Sequence, residues 1–161
     1  MGIRLAWPGV SQDIARVRRD IALLESAAAR PFQTAFLQEV HRGLPAKGAA
    51  LFHSLITNHP FEDGNKRTAV ASLLLFLIAN DVLLLAGQKD MYELAIRTAS
   101  AGERTEPQEK TLRAIREAMT RDTATLREVR QIRAYRTLYG QARIAKHSVR
   151  NHPLNVQPRP Q

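Results

Sequence analysis

From His59 to Thr68 the chain reads His-Pro-Phe-Glu-Asp-Gly-Asn-Lys-Arg-Thr, and this short run holds the groups needed to move a phosphorus-containing unit. His59 offers an imidazole, the side chain most often used to take a proton from an incoming hydroxyl. Asp63 offers an acidic oxygen suited to Mg2+, which takes one or two protein carboxylates and completes its shell with phosphate and water. Lys66 supplies a point charge, and Arg67 a fork that can hold two phosphate oxygens. Each residue alone has an ordinary explanation: a histidine before proline as a loop residue, Asp-Gly-Asn as a turn, Lys-Arg as a solvated face. Their concentration in one loop is what points to chemistry.

Those groups need elements to aim them. Leu51, Phe52, Leu55 and Ile56 recur at the spacing of one buried helix face, and His59, seven residues past Phe52 and four past Leu55, continues that inner face. Pro60 lacks an N–H and biases the residue before it away from helical dihedrals, so the helix is predicted to stop at His59. Asp63-Gly64 is a turn pair in which Gly64 can take positive φ and let a ligand approach the backbone. Asn65 is the expected N-cap of a helix running through Val70, Leu73, Leu74, Phe76, Leu77 and Ile78 to about Asn80. That segment is apolar on nearly every side, the pattern of a central buried helix. Its start presents unpaired N–H groups and the positive end of the helix dipole, a ready-made anion site. Lys66 and Arg67 are unfavourable in such a first turn unless an anion sits there.

Rival motifs fit poorly. A Walker loop requires a glycine five residues before a Gly-Lys pair, whereas Lys66 follows Asn65. A zinc site requires clustered His or Cys, yet His53 and His59 stand six apart with no third ligand at helical spacing. An EF-hand requires further carboxylates after Asp63 that the chain lacks.

The loop His59 to Thr68 resembles the signature of Fic/Doc proteins, and its ending Asn65-Lys66-Arg67-Thr68 is similar to the death-on-curing (Doc) branch. The usual Fic pattern has a second glycine where Lys66 stands and a further arginine where Val70 stands. Nucleotide-transferring members resemble that glycine-arginine form. The Doc form is associated with toxins that phosphorylate elongation factor Tu using ATP and Mg2+. The stretch Arg19 to Pro31 is similar to the segment that precedes the motif in Doc-like toxins, and the resemblance covers roughly residues 18 to 120. It implies an all-α, mostly helical Fic/Doc fold, a bundle around a central buried helix, with a short β-hairpin flap over Pro31 to Val40 that aligns the target. It implies His59 as base and Asp63 as metal ligand, with Asn65, Lys66 and Arg67 holding the ATP phosphates and the backbone around Gly64 lining the anion hole. It also implies a cognate antitoxin that covers the site and a protein substrate similar to elongation factor Tu, with adenylyl transfer (AMPylation) to a protein hydroxyl as the alternative reaction. Phe61 is expected to plug its ring into the core and so fix the loop. Phe32 and Phe36, at i and i+4, fit an ordinary helix face as well as a flap.

At 161 residues the chain can bury a real core. It has no cysteine for a disulfide framework, and its N-terminus shows no charged-then-apolar leader. The longest apolar stretch, Ala69 to Ala79, is too short to span a bilayer. A cytoplasmic protein without a membrane partner is therefore expected. Val82 to Leu85 reads as a short strand, Met91, Leu94, Ala95 and Thr98 as one helix face, and Leu112, Ile115 and Met119 as another. Loops are predicted at Arg42 to Gly48 and at Gly102 to Pro107. The formal charge of +9 is uneven: residues 1 to 120 carry 15 Lys and Arg against 13 Asp and Glu, residues 121 to 161 carry 9 against 2. Residues 1–120 are accordingly assigned to the catalytic domain and 121–161 to a basic helical extension with a disordered, proline-containing end. In that extension Leu126, Val129, Ile132, Tyr135 and Leu138 recur every third position, the first four each followed by Arg. This basic arm, with Tyr135, Tyr139 and His147 interleaved, could dock on the domain, carry a partner, or contact RNA or the ribosome through phosphates without any enzyme activity.

Overall fold

The computed structural model describes residues 19–103 and 107–131, together with residues 140, 144, 146 and 147. Helix α1 (Ile21–Ala29) opens under Asp20, whose carboxylate accepts from the Leu23 N–H at 3.0 Å. It runs into a 3-10 turn at Arg30–Phe32 and then a hairpin, β1 (Thr34–Ala35) against β2 (Gln38–Glu39). Helices α2 (Leu44–Thr57) and α3 (Asn65–Ala79) flank the motif loop. Strand β3 (Val82–Leu84), helices α4 (Gln88–Glu103) and α5 (Gln108–Arg121), strand β4 (Thr123–Thr125) and helix α6 (Leu126–Gln131) follow. The architecture is mostly helical, and each sheet among the described residues has two strands.

The hub of the bundle is α2, which packs against α1, the 3-10 turn, α3, α4 and α5. Phe52 and Ile56 from α2 meet Leu73 and Leu77 from α3 and Ile115 and Met119 from α5 in one core. This corrects the sequence expectation that the helix after the loop is the central one. Helix α3 buries Ala69, Val70, Leu73 and Leu77 on one face but leaves Leu75 45% exposed, so its all-round apolarity overstates its burial. Nor is Arg42 to Gly48 a loop: α2 begins at Leu44, and Gly48 lies inside it. A Cβ on Gly48 would run into the Met119 side chain and stand 3.1 Å from Leu73 Cδ1, so the glycine is there for helix packing, not for a turn.

The hairpin settles the reading of residues 31–40. Phe32 and Phe36 do not share a helix face; Phe36 and Leu37 form the two-residue tip, with φ of 50° and 61° and side chains fully in solvent. Positive φ at both central positions is the pattern of a type I′ hairpin turn, which normally takes Asn-Gly.

Strand β3 is where the sequence placed it and pairs antiparallel with β4, Val82 opposite Thr125 and Leu84 opposite Thr123. Behind this pair, Leu83, Leu126 and Val129 make a second small core with Ile78 and Ala124. Packed structure therefore continues past residue 120. Of the basic extension, Leu126 and Val129 turn inward while Arg127 and Arg130 stay exposed, and Lys146 pairs with Asp81 at the corner between α3 and β3. Ile132, Tyr135, Leu138, Tyr139 and the proline-containing end lie outside the described residues. No helix among the described residues is long and apolar enough to cross a membrane.

Candidate active site

The motif loop is built by its own backbone. Helix α2 ends at Thr57, with Asn58 as C-cap, so His59 stands two residues beyond the helix and not on its inner face. Its φ of 49° lies in the left-handed region, an uncommon conformation for a residue other than glycine and one found disproportionately at functional sites. Pro60 is fully buried and anchors the loop, whereas Phe61 is only partly buried and is absent from the core. The anchoring role expected of Phe61 belongs to its neighbour. The backbone of this segment is pinned by the chain before α1: the Asp20 N–H donates to the Pro60 carbonyl at 2.8 Å, and Arg19 bridges Phe61.

Gly64, φ 85°, is the N-cap of α3, and the Thr68 N–H closes the first turn onto its carbonyl at 2.8 Å. The left-handed turn expected at Gly64 is present, but Asn65 is the first helical residue and not the cap. Its buried amide does other work. The Phe61 N–H donates to Asn65 Oδ1 at 3.0 Å, and Asn65 Nδ2 donates to the Phe61 carbonyl at 2.7 Å. These two bonds fix which way the amide points, and Nδ2 then lies 3.4 Å from His59 Nδ1. The side chain of Asn65 is thus spent on shaping the loop, which leaves its backbone N–H as its means of meeting an anion.

The loop and α4 enclose a half-open cup of about 410 Å³. One wall is polar and carries His59, Asp63, Lys66 and Arg67 around the start of α3. Asp63 is 87% exposed; its Oδ1 accepts from the Gly64 N–H at 2.6 Å and its Oδ2 from Arg67 Nη2 at 2.7 Å. The other wall is apolar, formed by Val70, Tyr92, Ala95 and Ile96. The sequence reading had the first wall and missed Tyr92 and Ile96. Their signal was available: at i and i+4 they sit off the buried stripe Met91, Leu94, Ala95 and Thr98, on an adjacent face where an exposed apolar pair has no packing role. No residue of the 31–40 hairpin lines the cup.

Residues 7–77 match the profile of the Fic/DOC family. This part of the chain is similar to the Fic/Doc family. The protein named Toxin Doc from Mycolicibacterium smegmatis is 47% identical over 68 residues, which make up 42% of this chain and 52% of that protein. The chain thus spans about half the length of the curated relative it matches. No solved structure is a significant match. The family segment covers the whole polar wall of the cup, while Tyr92, Ala95 and Ile96 lie beyond it. The motif loop here keeps its acidic and cationic groups together and has apolar Val70, 4% exposed, where the usual Fic pattern has arginine.

Among the described residues no three His, Asp or Glu side chains gather to hold a metal by themselves. Two exposed carboxylates at the cup, Glu62 and Asp63, with Asp63 beside two cations and a helix start, fit a different role, that of sharing a Mg2+ brought in by phosphates, since Mg2+ keeps water and phosphate as most of its ligands.

Proposed function

We propose that the protein is the toxin of a toxin–antitoxin module and acts as a protein kinase, transferring a phosphoryl group from ATP to a hydroxyl of a translation factor similar to elongation factor Tu. The observation that carries this reading is the cup itself: a candidate base, a carboxylate, two cations and a helix N-terminus share one cavity with an apolar wall able to take a nucleoside. Phosphoryl transfer needs little more than such positioning and charge stabilisation. Lys66 and Arg67 would hold phosphate oxygens with the N–H groups of the first turn of α3, and Asp63 would share Mg2+, which supplies charge neutralisation when bound. Occupancy by metal and phosphate requires Asp63 and Arg67 to release one another.

His59 would take the hydroxyl proton. The 3.4 Å contact from Asn65 places a donor against Nδ1, so while it persists the neutral ring carries its hydrogen on Nε2. Proton transfer to Nδ1 therefore exchanges that long contact for the substrate hydroxyl. Val70 and Lys66 support phosphoryl over adenylyl transfer: together they remove a cation from one side of the cup and fill the space next to the backbone on the other, which favours a different lie of the nucleotide. The same reading gives the toxin a cognate antitoxin and a cytoplasmic place of action.

The test is transfer of label from ATP to a purified bacterial elongation factor Tu. Label from the γ-phosphate should appear, and His59→Ala should lower its rate by about 10²–10⁴-fold while nucleotide binding persists. Label arriving from the α-phosphate instead would replace kinase with adenylyl transfer.

A further inference from the structure

The β1–β2 hairpin stands away from the bundle. Every residue from Phe32 to Val40 is exposed, and neither strand packs extensively on a helix. The hairpin closes on itself: the Val40 N–H donates to the Gln33 carbonyl at 3.0 Å, and Arg42 donates to the Gln38 side chain. These bonds fix its shape but not its angle to the rest of the molecule. At its roots, Pro31 is fully buried and His41 half-buried.

One side chain of α2 spans both arms. Lys47 Nζ pairs with Glu39 of β2 at 2.7 Å and lies 5.8 Å from the centre of the Phe32 ring just before β1, inside the reach of a cation–π contact. Among the described residues no other side-chain hydrogen bond or ion pair joins residues 32–40 to a helix. Helix stability does not explain a lysine here, because Lys47 is the fourth residue of α2 and a cation is unfavourable at that end of the dipole. Its side chain is only 20% exposed, so the stem lies along the protein while the ammonium reaches the two arms. An exposed ion pair and a single ring contact add little to global stability. Shared by both arms of a hairpin with no other side-chain tether, they are enough to bias its angle. We infer that Lys47 is a positioning residue that holds the hairpin at one angle to α2 and thereby sets how a target protein is presented to His59. The presentation step rests on the phosphoryl-transfer reading; the holding of the hairpin does not.

The chain has no cysteine, so Leu37→Cys at the hairpin tip and Arg116→Cys on the exposed face of α5 take nitroxide labels at two places only. The distance between the labels, measured in the full chain by double electron–electron resonance, should form one narrow distribution. Lys47→Met keeps the apolar stem and removes the charge, and should broaden or shift that distribution. Lys47→Arg can serve both contacts and should keep it narrow. In the unlabelled chain Lys47→Met should raise KM for elongation factor Tu roughly threefold to tenfold, the combined worth of an exposed ion pair and a cation–π contact, with kcat and nucleotide affinity unchanged. Lys47→Arg should restore KM. A distribution that Lys47→Met leaves unchanged overturns the inference, and so does a broad one with Lys47 in place, since no angle is then being held. A changed distribution with an unchanged KM overturns the presentation step. Absence of phosphate transfer by the native chain sinks the kinase reading, while the label distances still decide whether Lys47 holds the hairpin.

Discussion

At the scale of single residues, one amide joins the two ends of the loop inside the site. Asn65 satisfies both backbone polar groups of Phe61 and, through that fixed orientation, faces His59. Asn65→Ala removes the donor and the acceptor together and leaves two partly buried backbone groups unpaired. A cost of about 2–4 kcal/mol follows from roughly 1–3 kcal/mol for each group left without a partner, discounted for the water that reaches the loop. The expected outcome is a lower urea midpoint and loss of transfer activity even though His59, Asp63 and both cations remain. Asn65→Asp restores the acceptor for the Phe61 N–H but not the donor, and should recover part of the stability. Equal midpoints for the alanine variant and the native chain would show that the loop is held elsewhere. The sequence announced which residue types met in this loop but not this division of labour, because Asn is equally good as a cap, a turn residue or an anion contact. Only the register of α3, which starts at Asn65 and not after it, decides among them.

At the scale of elements, periodicity was a good guide wherever a face is buried and a poor one elsewhere. Met91, Leu94, Ala95 and Thr98 and the stripe through Ile115 and Met119 read correctly as helices because burial itself imposes the 3.6 period. Gly48 misled as a turn signal, since the same lack of a side chain serves close helix packing. Phe32 and Phe36 left a helix face and a flap equally open because both are exposed, and an exposed pair carries no periodic constraint. The hairpin that carries Phe36 is locally strained: left-handed φ costs roughly 1–2 kcal/mol for a residue with a Cβ, and the tip holds two such residues, Phe36 and Leu37, with side chains fully in solvent. Replacing them by Asn-Gly should therefore raise stability by about 1–2 kcal/mol, read as a higher urea midpoint. If this hairpin aligns the target, as the resemblance to Doc implies, the same change should raise KM for the protein substrate while nucleotide affinity stays constant. A stabilised variant with unaltered KM would remove the hairpin from target recognition.

At the scale of the whole molecule, two couplings decide stability. The first joins the extension to the bundle. Leu126 is 7% exposed and sits with Leu83 and fully buried Val129 behind the β3–β4 pair, so Leu126→Ala should cost about 2–5 kcal/mol, as in any core. A change in the midpoint below a few tenths of a kcal/mol would mean that folding ends at residue 120, where the charge asymmetry alone places the boundary. The second coupling is to protons. His41 and His53 lie near Arg30, and burial first, then that guanidinium, push both imidazoles below the ordinary value of 6.5, with Glu109 opposing weakly at His41. His41 Nε2 is buried with no hydrogen-bond partner among the described residues. Because the folded pKa values are depressed, the unfolded chain binds protons first as pH falls below about 6.5, and stability drops from there until the folded imidazoles also titrate. Asp122, held down by Arg121, and Glu128, held down by Thr125, lose their contribution only in the lower carboxylate range, so the two windows separate. Urea midpoints measured from pH 7.5 to 5 should therefore fall as the solution is acidified, and His53→Gln should flatten the slope while leaving the further loss below pH about 4.5 in place. A midpoint that holds constant or rises over the upper window would mean that these two rings are neither buried nor close to Arg30 in solution.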